Sequence, residues 1–354
     1  MTGTAHRPRV LPAGHTLVRA GAASFLVHRR AARTAGALTV LLAAVCLASL
    51  CLGETTATPL GAMRVLAGLP SPDAFVVGTL RLPRLVTGLL VGVAFGLAGA
   101  LVQTVARNPL ASPDIIGVSQ GAGALTVGAL TFGVTSTVAL PALSVAGGLA
   151  TAALVYALTW RRGLHAGRFV LIGIGFAIAL RSVTQLFLTK GEPLVAQQAQ
   201  VWMTGSLDGR GRPEAAPLGC VLLLLLPAVL WAGRAQRAVA LDDDTATALG
   251  THLGRTRLGL AALGVVLASV ATAAAGPVDF VALLAPQIAR RAARTDRIPL
   301  VCAALTGAVI VVAADLAART LLSPTELPVG VLTAAVGAPY LIRLILRGRT
   351  GGTS

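Results

Sequence analysis

The sequence is poor in charged residues, in aromatic residues and in lysine. Charged residues make up 12% and aromatic residues 4% of the 354-residue chain, and Lys190 is the only lysine. With 55% hydrophobic residues and a mean hydropathy of +0.80, this composition excludes an ordinary soluble globular domain. The formal net charge is +16, but the basic residues form short groups between apolar runs and no continuous basic face. We therefore expect no nucleic-acid partner.

The residues that usually carry catalysis or bind metal ions are also scarce. The four cysteines lie in apolar runs without CxxC spacing, which excludes a zinc or disulfide pattern. All five histidines lie in segments that we expect to be aqueous, which excludes a histidine metal site or proton relay inside a membrane. No GxxxxGK[ST] phosphate loop occurs. We expect a chain that is not an enzyme, with no catalytic residue, no metal site and no cofactor of its own.

Ten apolar runs, bounded by Pro, Gly and charged residues, predict an all-α, polytopic membrane protein. An α-helix needs about 20 residues to cross about 30 Å of hydrocarbon. The predicted spans are 35–53, 82–104, 115–132, 138–159, 168–189, 216–233, 258–276, 279–290, 300–319 and 328–346. The eighth is too short to cross unaided, and Pro277 and Pro286 bracket it. It is therefore predicted to be a broken helix of half length, enclosed by protein.

The basic residues set the orientation of these spans. If the N-terminus is cytoplasmic, 21 of the 29 Lys and Arg residues fall in inside segments, seven fall outside and one, Arg181, falls within a span. This asymmetry follows the positive-inside rule and predicts that both termini are cytoplasmic. The predicted parts are a basic arm (1–34) attracted to anionic lipid, a ten-helix domain (35–347) and a short tail (348–354).

The second span carries a stripe of small residues and a basic entrance. The stripe recurs at every fourth position: Gly88, Gly92, Gly96 and Ala100. It allows close helix packing, either inside one subunit or at a seam between subunits. At the entrance, Arg81 and Arg84 are either interfacial anchors or part of a docking surface.

Two ionisable residues inside predicted spans indicate further roles. Asp315 precedes Arg319 by four residues on one helix, a spacing that favours a local ion pair over the alternative of a proton carrier. Arg181 either snorkels or pairs within the protein, or it attracts an anionic substrate along a path through the membrane.

Two segments between spans are also distinctive. Asn108, Pro109 and Pro113 predict a rigid turn, because the prolines forbid a continuous helix and Asn favours turns. The segment 241–257 carries three acidic residues in an otherwise basic inner surface, and Asp243 or Asp244 is expected to cap a short helix that ends near Gly250. A solvated loop is the alternative for this segment.

Together these motifs resemble the membrane permeases of iron-siderophore and cobalamin ABC importers, most of all the ferric-enterobactin type. The resemblance covers about residues 35–347. It rests on the order of RLPR (81–84), GxxxGxxxGxxGAxxQ (88–103), RNPLASPDIIGVSQGA (107–122), WMTGSL (202–207), DDTATALG (243–250), AGPVDFVALLAPQIARR (275–291) and ADLAARTLLSPTELPVGVLTAAVGAPYLI (314–342).

The resemblance implies roles for two groups of residues. Segment 241–257 is similar to the loops that couple such permeases to their ATPases, which implies coupling residues Asp242, Asp243, Asp244, Thr245, Ala248, Leu249 and Gly250. Arg81, Arg84 and Arg319 match positions that resemble a basic landing site for acidic residues of a substrate-binding protein.

The resemblance also implies the partners and the cargo. The partners would be a second permease subunit (a paralogue or a second copy), two ABC ATPase subunits that hold ATP and Mg²⁺, and a substrate-binding lipoprotein, all at a bacterial plasma membrane. The implied cargo is a ferric siderophore, with catecholate or mixed-ligand types first and cobalamin or haem as the alternative.

Two departures and two rival classes remain. Gln287 stands where many relatives carry histidine, and Asp279 where many carry glycine. These departures leave the predicted fold unchanged, but the resemblance then does not settle the details of gating and selectivity. An ion-coupled secondary transporter would depend on Asp315 and would need no ATPase. A membrane-embedded enzyme would need a cluster of polar catalytic residues, and the sequence shows none.

Overall fold

The fold is a bundle of membrane helices preceded by a small β-hairpin. A computed structural model describes residues 14–20, 23–53, 55–159, 166–323 and 325–350. The α-helices are α1 (Arg29–Cys51), α2 (Pro59–Leu66), α3 (Leu82–Ala106), α4 (Val118–Thr131), α5 (Ala139–Thr159), α6 (Ala166–Lys190), α7 (Pro193–Met203), α8 (Arg212–Val239), α9 (Asp243–Ala248), α10 (Leu253–Ala275), α11 (Val281–Ala293), α12 (Leu300–Thr320) and α13 (Val329–Thr350).

The hairpin lies in the segment that the sequence predicts to be a basic arm. Strands β1 (His15–Ala20) and β2 (Ala23–His28) pair antiparallel, with His15 opposite His28. Helix α1 follows at once, so it begins at Arg29, six residues before the predicted start of the first span. Residues 1–13 of the arm, residues 160–165 between α5 and α6, and the end of the tail (351–354) lie outside the described residues.

Each of the ten predicted spans corresponds to an α-helix. Among the described residues, seven helices are long and apolar enough to cross a membrane. The other three predicted spans correspond to shorter helices or apolar stretches: α4 has 14 residues, α11 has 13, and the apolar part of α13 covers Val329–Arg343. The prediction of a helical membrane protein with about ten spans, including a short eighth, is confirmed.

Besides the hairpin, a π-helix and two short α-helices were not predicted. A π-helix (Phe75–Arg81) runs directly into α3, so the second span is a continuous helical stretch of 32 residues. Helices α2 and α7 are short and each begins with a proline in its first turn, where the missing N–H costs no helix bond. Their length and mixed composition gave no span signal.

Helix α3 is the centre of the bundle and packs against α8, α10, α11 and α12. A Cβ added at Gly92 would come within 2.5 Å of the backbone of Gly307 and Ala308 on α12. Gly96 lies against Ala303 of the same helix, and Gly99 lies against Ala282 of α11. The stripe of small residues therefore brings helices of one chain into backbone contact, and it is not exposed as a seam.

Helix α11 follows a sharp break in the chain. Helix α10 ends at Ala275 and is followed by Gly276, which has φ +73°. Helix α11 begins after Phe280, which has φ +66°. At 13 residues, α11 is about 20 Å long, which is shorter than the hydrocarbon core. It runs beside the C-terminal half of α3 and is buried there, because its irregular start has to be enclosed by protein.

The two ends of the bundle carry different charged groups. We call one end the α9 end, because the end of α3, the end of α8 and the start of α10 meet α9 there. We call the opposite end the Arg84 end, where the start of α3 meets the ends of α1 and α12.

Candidate functional site

Helix α9 is a short, exposed helix tied firmly to the bundle. Its N-cap is Asp242, whose carboxylate accepts a 2.9 Å bond from the Thr245 N–H. The sequence prediction that Asp243 or Asp244 caps this helix is wrong by one residue, because the Asp243 carboxylate is held by arginines instead. Gly250 follows the helix with φ +79°. The predicted short helix that ends near Gly250 is thus present.

Two arginines from different helices hold Asp243. Arg107, just after α3, and Arg257, on α10, approach the Asp243 carboxylate within 2.7 and 2.6 Å. Arg107 also donates to the carbonyl oxygens of Val239 and Leu241 at the end of α8. One carboxylate therefore connects α9 to α3, α8 and α10.

These contacts also shift the acidity of the two carboxylates. Hydrogen bonding to Thr245 holds the pKa of Asp242 below its ordinary value. The hydrogen bond from Arg257, assisted by the charge of Arg107, lowers the pKa of Asp243 in the same way. Both groups are therefore firmly anionic at neutral pH.

Most of the outward face of α9 is free of contacts with the rest of the chain. Asp244, Thr245 and Ala248 are exposed, and Leu249 is 70% exposed. Only Ala246 is fully buried and anchors the helix. The segment is therefore a rigid projection and not the solvated loop that was the alternative, because it has a cap, a helical turn and three-way ion pairing.

The predicted turn after α3 supports this projection. Arg107 has φ +48°, a left-handed conformation that ends α3. The Asn108 side chain accepts a 2.9 Å bond from the Leu110 N–H, and Pro113 opens a 3₁₀ helix (Pro113–Ile116). Asn108, Pro109 and Pro113 therefore occupy a tight, internally bonded turn.

At the Arg84 end, the three arginines of the predicted landing site lie within the protein. Arg81 is 8% exposed and donates to the carbonyls of Leu50 and Thr55. Arg319 is 7% exposed and donates to Ser49. Neither side chain is presented to a partner in this conformation, because burial and hydrogen bonds to the chain itself occupy both.

Arg84 contacts three acidic residues from different segments at this end. It bonds to Asp315 at 2.9 Å and to Glu326 at 2.8 Å, and it lies 3.6 Å from Asp208. Asp315 also pairs with Arg319 at 3.2 Å, so the predicted ion pair on α12 is present. Asp208 is 69% exposed and Glu326 is 35% exposed, so these acids form the outer edge of the network.

Helix α6 presents a polar stripe where a membrane span would normally be apolar. Arg181, Ser182, Gln185 and Thr189 are all exposed. They lie within about 100° of one another around the helix, while Gly173, Ala177 and Thr184 on the other side pack inward. A polar stripe facing hydrocarbon would be costly, so this face is suited to water or to another protein subunit.

No cluster of metal-binding side chains occurs in the described part of the chain, where no group of three His, Cys, Asp or Glu residues has a suitable arrangement.

The two residues that depart from the family pattern, Asp279 and Gln287, lie in different surroundings. Asp279 is exposed just before α11, and Gln287 is fully buried. Gln287 donates to the side chain of Gln103 at 2.5 Å and accepts from Arg290 at 3.0 Å.

The family model described as the FecCD transport family matches residues 41–347. The chain belongs to this family. Its permease relatives include the ferric enterobactin transport system permease protein FepG of Escherichia coli, which is 41% identical over 279 residues, 78% of this chain and 84% of that protein. The achromobactin transport system permease protein CbrC of Dickeya dadantii is 39% identical over 315 residues, 88% of this chain and 90% of that protein.

A solved structure has the same fold as this FecCD permease. It is described as an inward-facing conformation of a metal-chelate type ABC transporter, and it superposes with a TM-score of 0.77 at 26% identity, covering 89% of this chain and 99% of the other. The family resemblance predicted from the motifs is confirmed. The protein is thus a multi-pass membrane permease of ABC-importer type, a class that works with ATPase and substrate-binding subunits.

Sequence reasoning missed several partners of the predicted residues. Arg107 and Arg257 are separated from Asp243 by 136 and 14 residues, and Glu326 is 242 residues from Arg84. No spacing rule brings such residues together. The only local signal was the concentration of acidic residues in 241–257, which indicates that basic side chains lie nearby.

Proposed function

We propose that this FecCD permease is the membrane subunit of an ATP-driven importer that carries a ferric siderophore into the cytoplasm by alternating access. The observation that carries the proposal is α9: a capped, exposed helix that Arg107 and Arg257 hold at the point where α3, α8 and α10 meet. Force applied to such a projection is passed directly to α3, α8 and α10. This is what an ATPase needs in order to switch a permease between two states.

The partners follow from the same assignment. ATP and Mg²⁺ would be held by two ATPase subunits at the α9 end, which the charge distribution predicts to be cytoplasmic. A substrate-binding lipoprotein would approach the Arg84 end. Because Arg81 and Arg319 are enclosed and the Arg84 side chain is 11% exposed and paired with Asp315 and Glu326, we expect the three arginines to reach a partner only when these contacts rearrange.

The proposed path runs along the exposed face of α6. A second permease subunit, either a paralogue or a second copy, would cover this face, which also carries the exposed Leu171 and Ile178. Arg181 would then lie beside the path and attract an anionic chelate. The similarity to permeases named for ferric enterobactin and achromobactin supports a ferric siderophore of catecholate or mixed-ligand type over cobalamin or haem.

The rival ion-coupled mechanism receives less support. Asp315 is 3% exposed and lies between Arg84 and Arg319. Each of its carboxylate oxygens is paired with an arginine, so the group is used in structural contacts and is closed off from water.

The experiment for the substrate is iron uptake with labelled chelates. A deletion strain and its complemented control would be offered ferric catecholate, hydroxamate and mixed siderophores, with labelled cobalamin alongside. We expect loss of uptake of one ferric siderophore, restored by complementation. Loss of cobalamin uptake alone would replace the proposed cargo, and uptake that persists without the ATPase would overturn the mechanism.

A further inference from the structure

A small basic cavity lies at the α9 end of the bundle and is separate from the proposed path. Its volume is about 200 Å³. It opens between the ends of α3, α8 and α11 and the turn before α12. Its polar lining includes Gln103, Asn108, Gln236 and Gln287, and its charged lining consists of Arg107, Arg290, Arg297 and Asp296.

The cavity has an excess of positive charge that the chain itself does not neutralise. Three arginines and one aspartate give its lining a formal charge of +2. Within the described residues, the Arg297 guanidinium has no hydrogen bond or ion pair, and Arg290 bonds only to the neutral amide of Gln287. Arg107 is the one lining arginine that is ion-paired, through Asp243.

A buried chain of amides fixes one wall of the cavity. The Gln103 amide donates to the Leu283 carbonyl at 3.1 Å, and Gln287 donates to Gln103. The Gln287 oxygen then accepts from Arg290 and so restricts the orientation of that guanidinium. Gln287 is fully buried. Arg290 is therefore held in place by its bond to the buried Gln287, and its remaining N–H donors are free to bind a ligand.

We propose that this cavity binds a phosphate-bearing anion. Guanidinium groups match phosphate oxygens with paired, charge-assisted hydrogen bonds, and several arginines around one recess favour such a group over a neutral ligand. Basic pockets between membrane helices on the cytoplasmic side commonly bind phospholipid head groups. The anion comes either from an anionic lipid head group or from free phosphate, and both present the same chemistry to Arg290 and Arg297.

The cavity shares one arginine with the contacts that hold α9, so a bound anion would affect that helix. Arg107 lines the cavity and also holds Asp243 of α9. An anion in the cavity would form hydrogen bonds with the Arg107 guanidinium that also holds Asp243. It would thereby connect the end of α11, through Arg290, to α9. Occupancy would therefore change the rigidity with which α9 is held.

The test is a binding measurement on the full-length chain, so it does not depend on the transported cargo. The cavity variant is Arg290→Gln with Arg297→Gln. The control is Arg255→Gln with Arg294→Gln, which removes the same charge from the same end of the bundle, at exposed arginines outside the cavity. Arg107 is left unchanged because it also supports α9.

Two arms separate the sources of the anion. In the first, inorganic phosphate is titrated into detergent-purified protein by calorimetry. In the second, native mass spectrometry counts the lipids retained from nanodiscs of phosphatidylglycerol or phosphatidylcholine. We expect the wild type and the control to bind phosphate, or to retain phosphatidylglycerol over phosphatidylcholine, and the cavity variant to bind about tenfold more weakly or worse.

Several outcomes would overturn the proposal. One is equal binding by the cavity variant and the control, which would show only a general charge effect. Another is the absence of both phosphate and phosphatidylglycerol binding in the wild type. If the cavity variant instead loses only its ATPase association, the arginines contact a protein partner and no anion site exists there.

Discussion

Arg84 and Asp315 join α3 to α12 through two contacts of 2.9 Å, although 231 residues separate them in the sequence. Asp315 pairs at the same time with Arg319, and the three side chains are nearly enclosed. Removing one partner of a buried charge network leaves the others uncompensated, so this network governs the stability of one end of the bundle.

We predict that Asp315→Asn destabilises the permease strongly. Two buried guanidinium groups lose their shared carboxylate, which costs about 3–5 kcal/mol in buried pairs. The measurement is thermal unfolding of the detergent-purified protein, with Asp208→Asn as the control because Asp208 is 69% exposed. If the Asp315 variant melts like the control yet loses transport, the proton-carrier alternative gains support.

We predict that Gly92→Val prevents correct packing of α3 on α12. Its Cβ would lie within 2.5 Å of backbone atoms of Gly307 and Ala308, which cannot rotate away as a side chain can. The expected result is a low yield of monodisperse protein by size-exclusion chromatography. Gly175→Ala on α6 is the matched control, since no atom lies within 4 Å of its added Cβ. Equal yields from the two variants would contradict the assigned packing.

We predict that charge reversal on α9 weakens its association with an ATPase. Asp243→Lys breaks the contacts to Arg107 and Arg257, whereas Asp244→Lys changes only the exposed face. Both should reduce ATPase pull-down and uptake, and the first should also loosen the helix. The control is Glu192→Lys, an exposed acid between α6 and α7 that lies outside both α9 and the cavity. Unchanged pull-down for both α9 variants would exclude the coupling role.

We predict that acid loosens α9. The folded pKa values of Asp242 and Asp243 are lowered, so their stabilisation is complete above the ordinary aspartate pKa of about 3.9 and is lost as the pH falls through the folded values. Hydrogen exchange of residues 243–250, corrected for intrinsic rates, should therefore accelerate below about pH 4. In Asp242→Ala it should already be faster at neutral pH. Protection that does not respond to either change would show that these carboxylates do not hold the helix.

We predict that Arg181→Gln reduces uptake of anionic ferric chelates more than uptake of neutral ones. A cation beside the path attracts an anion, and removing it lowers the effective local concentration of the anion. Initial uptake rates for a catecholate and for a neutral hydroxamate complex provide the comparison. Lys190→Gln is the control, because Lys190 lies on the same helix but at its end. An equal reduction for both chelates would show that Arg181 supports the structure and does not select the cargo.

The sequence by itself determined the class of protein and the positions of its spans. Three signals were enough to place the spans: the length of the apolar runs, the positive-inside asymmetry and the prolines at the eighth span. They are enough because a bilayer imposes the same length and hydrogen-bonding demands on every helix. The motif order around Arg84, Asn108 and Gly250 also identified the family. These signals are local and therefore readable along the chain.

Only the tertiary structure decided which side chains meet. It showed that the stripe at Gly92 faces α12, that Arg81 and Arg319 are enclosed, and that Asp242 caps α9 while Asp243 is held by two arginines. It also brought Arg107, Arg290 and Arg297 around one cavity. Helix rotation and the choice of neighbours set these contacts. Several of them join segments more than a hundred residues apart, such as Arg107 with Asp243 and Arg84 with Asp315, for which the sequence carries no periodic or spacing signal.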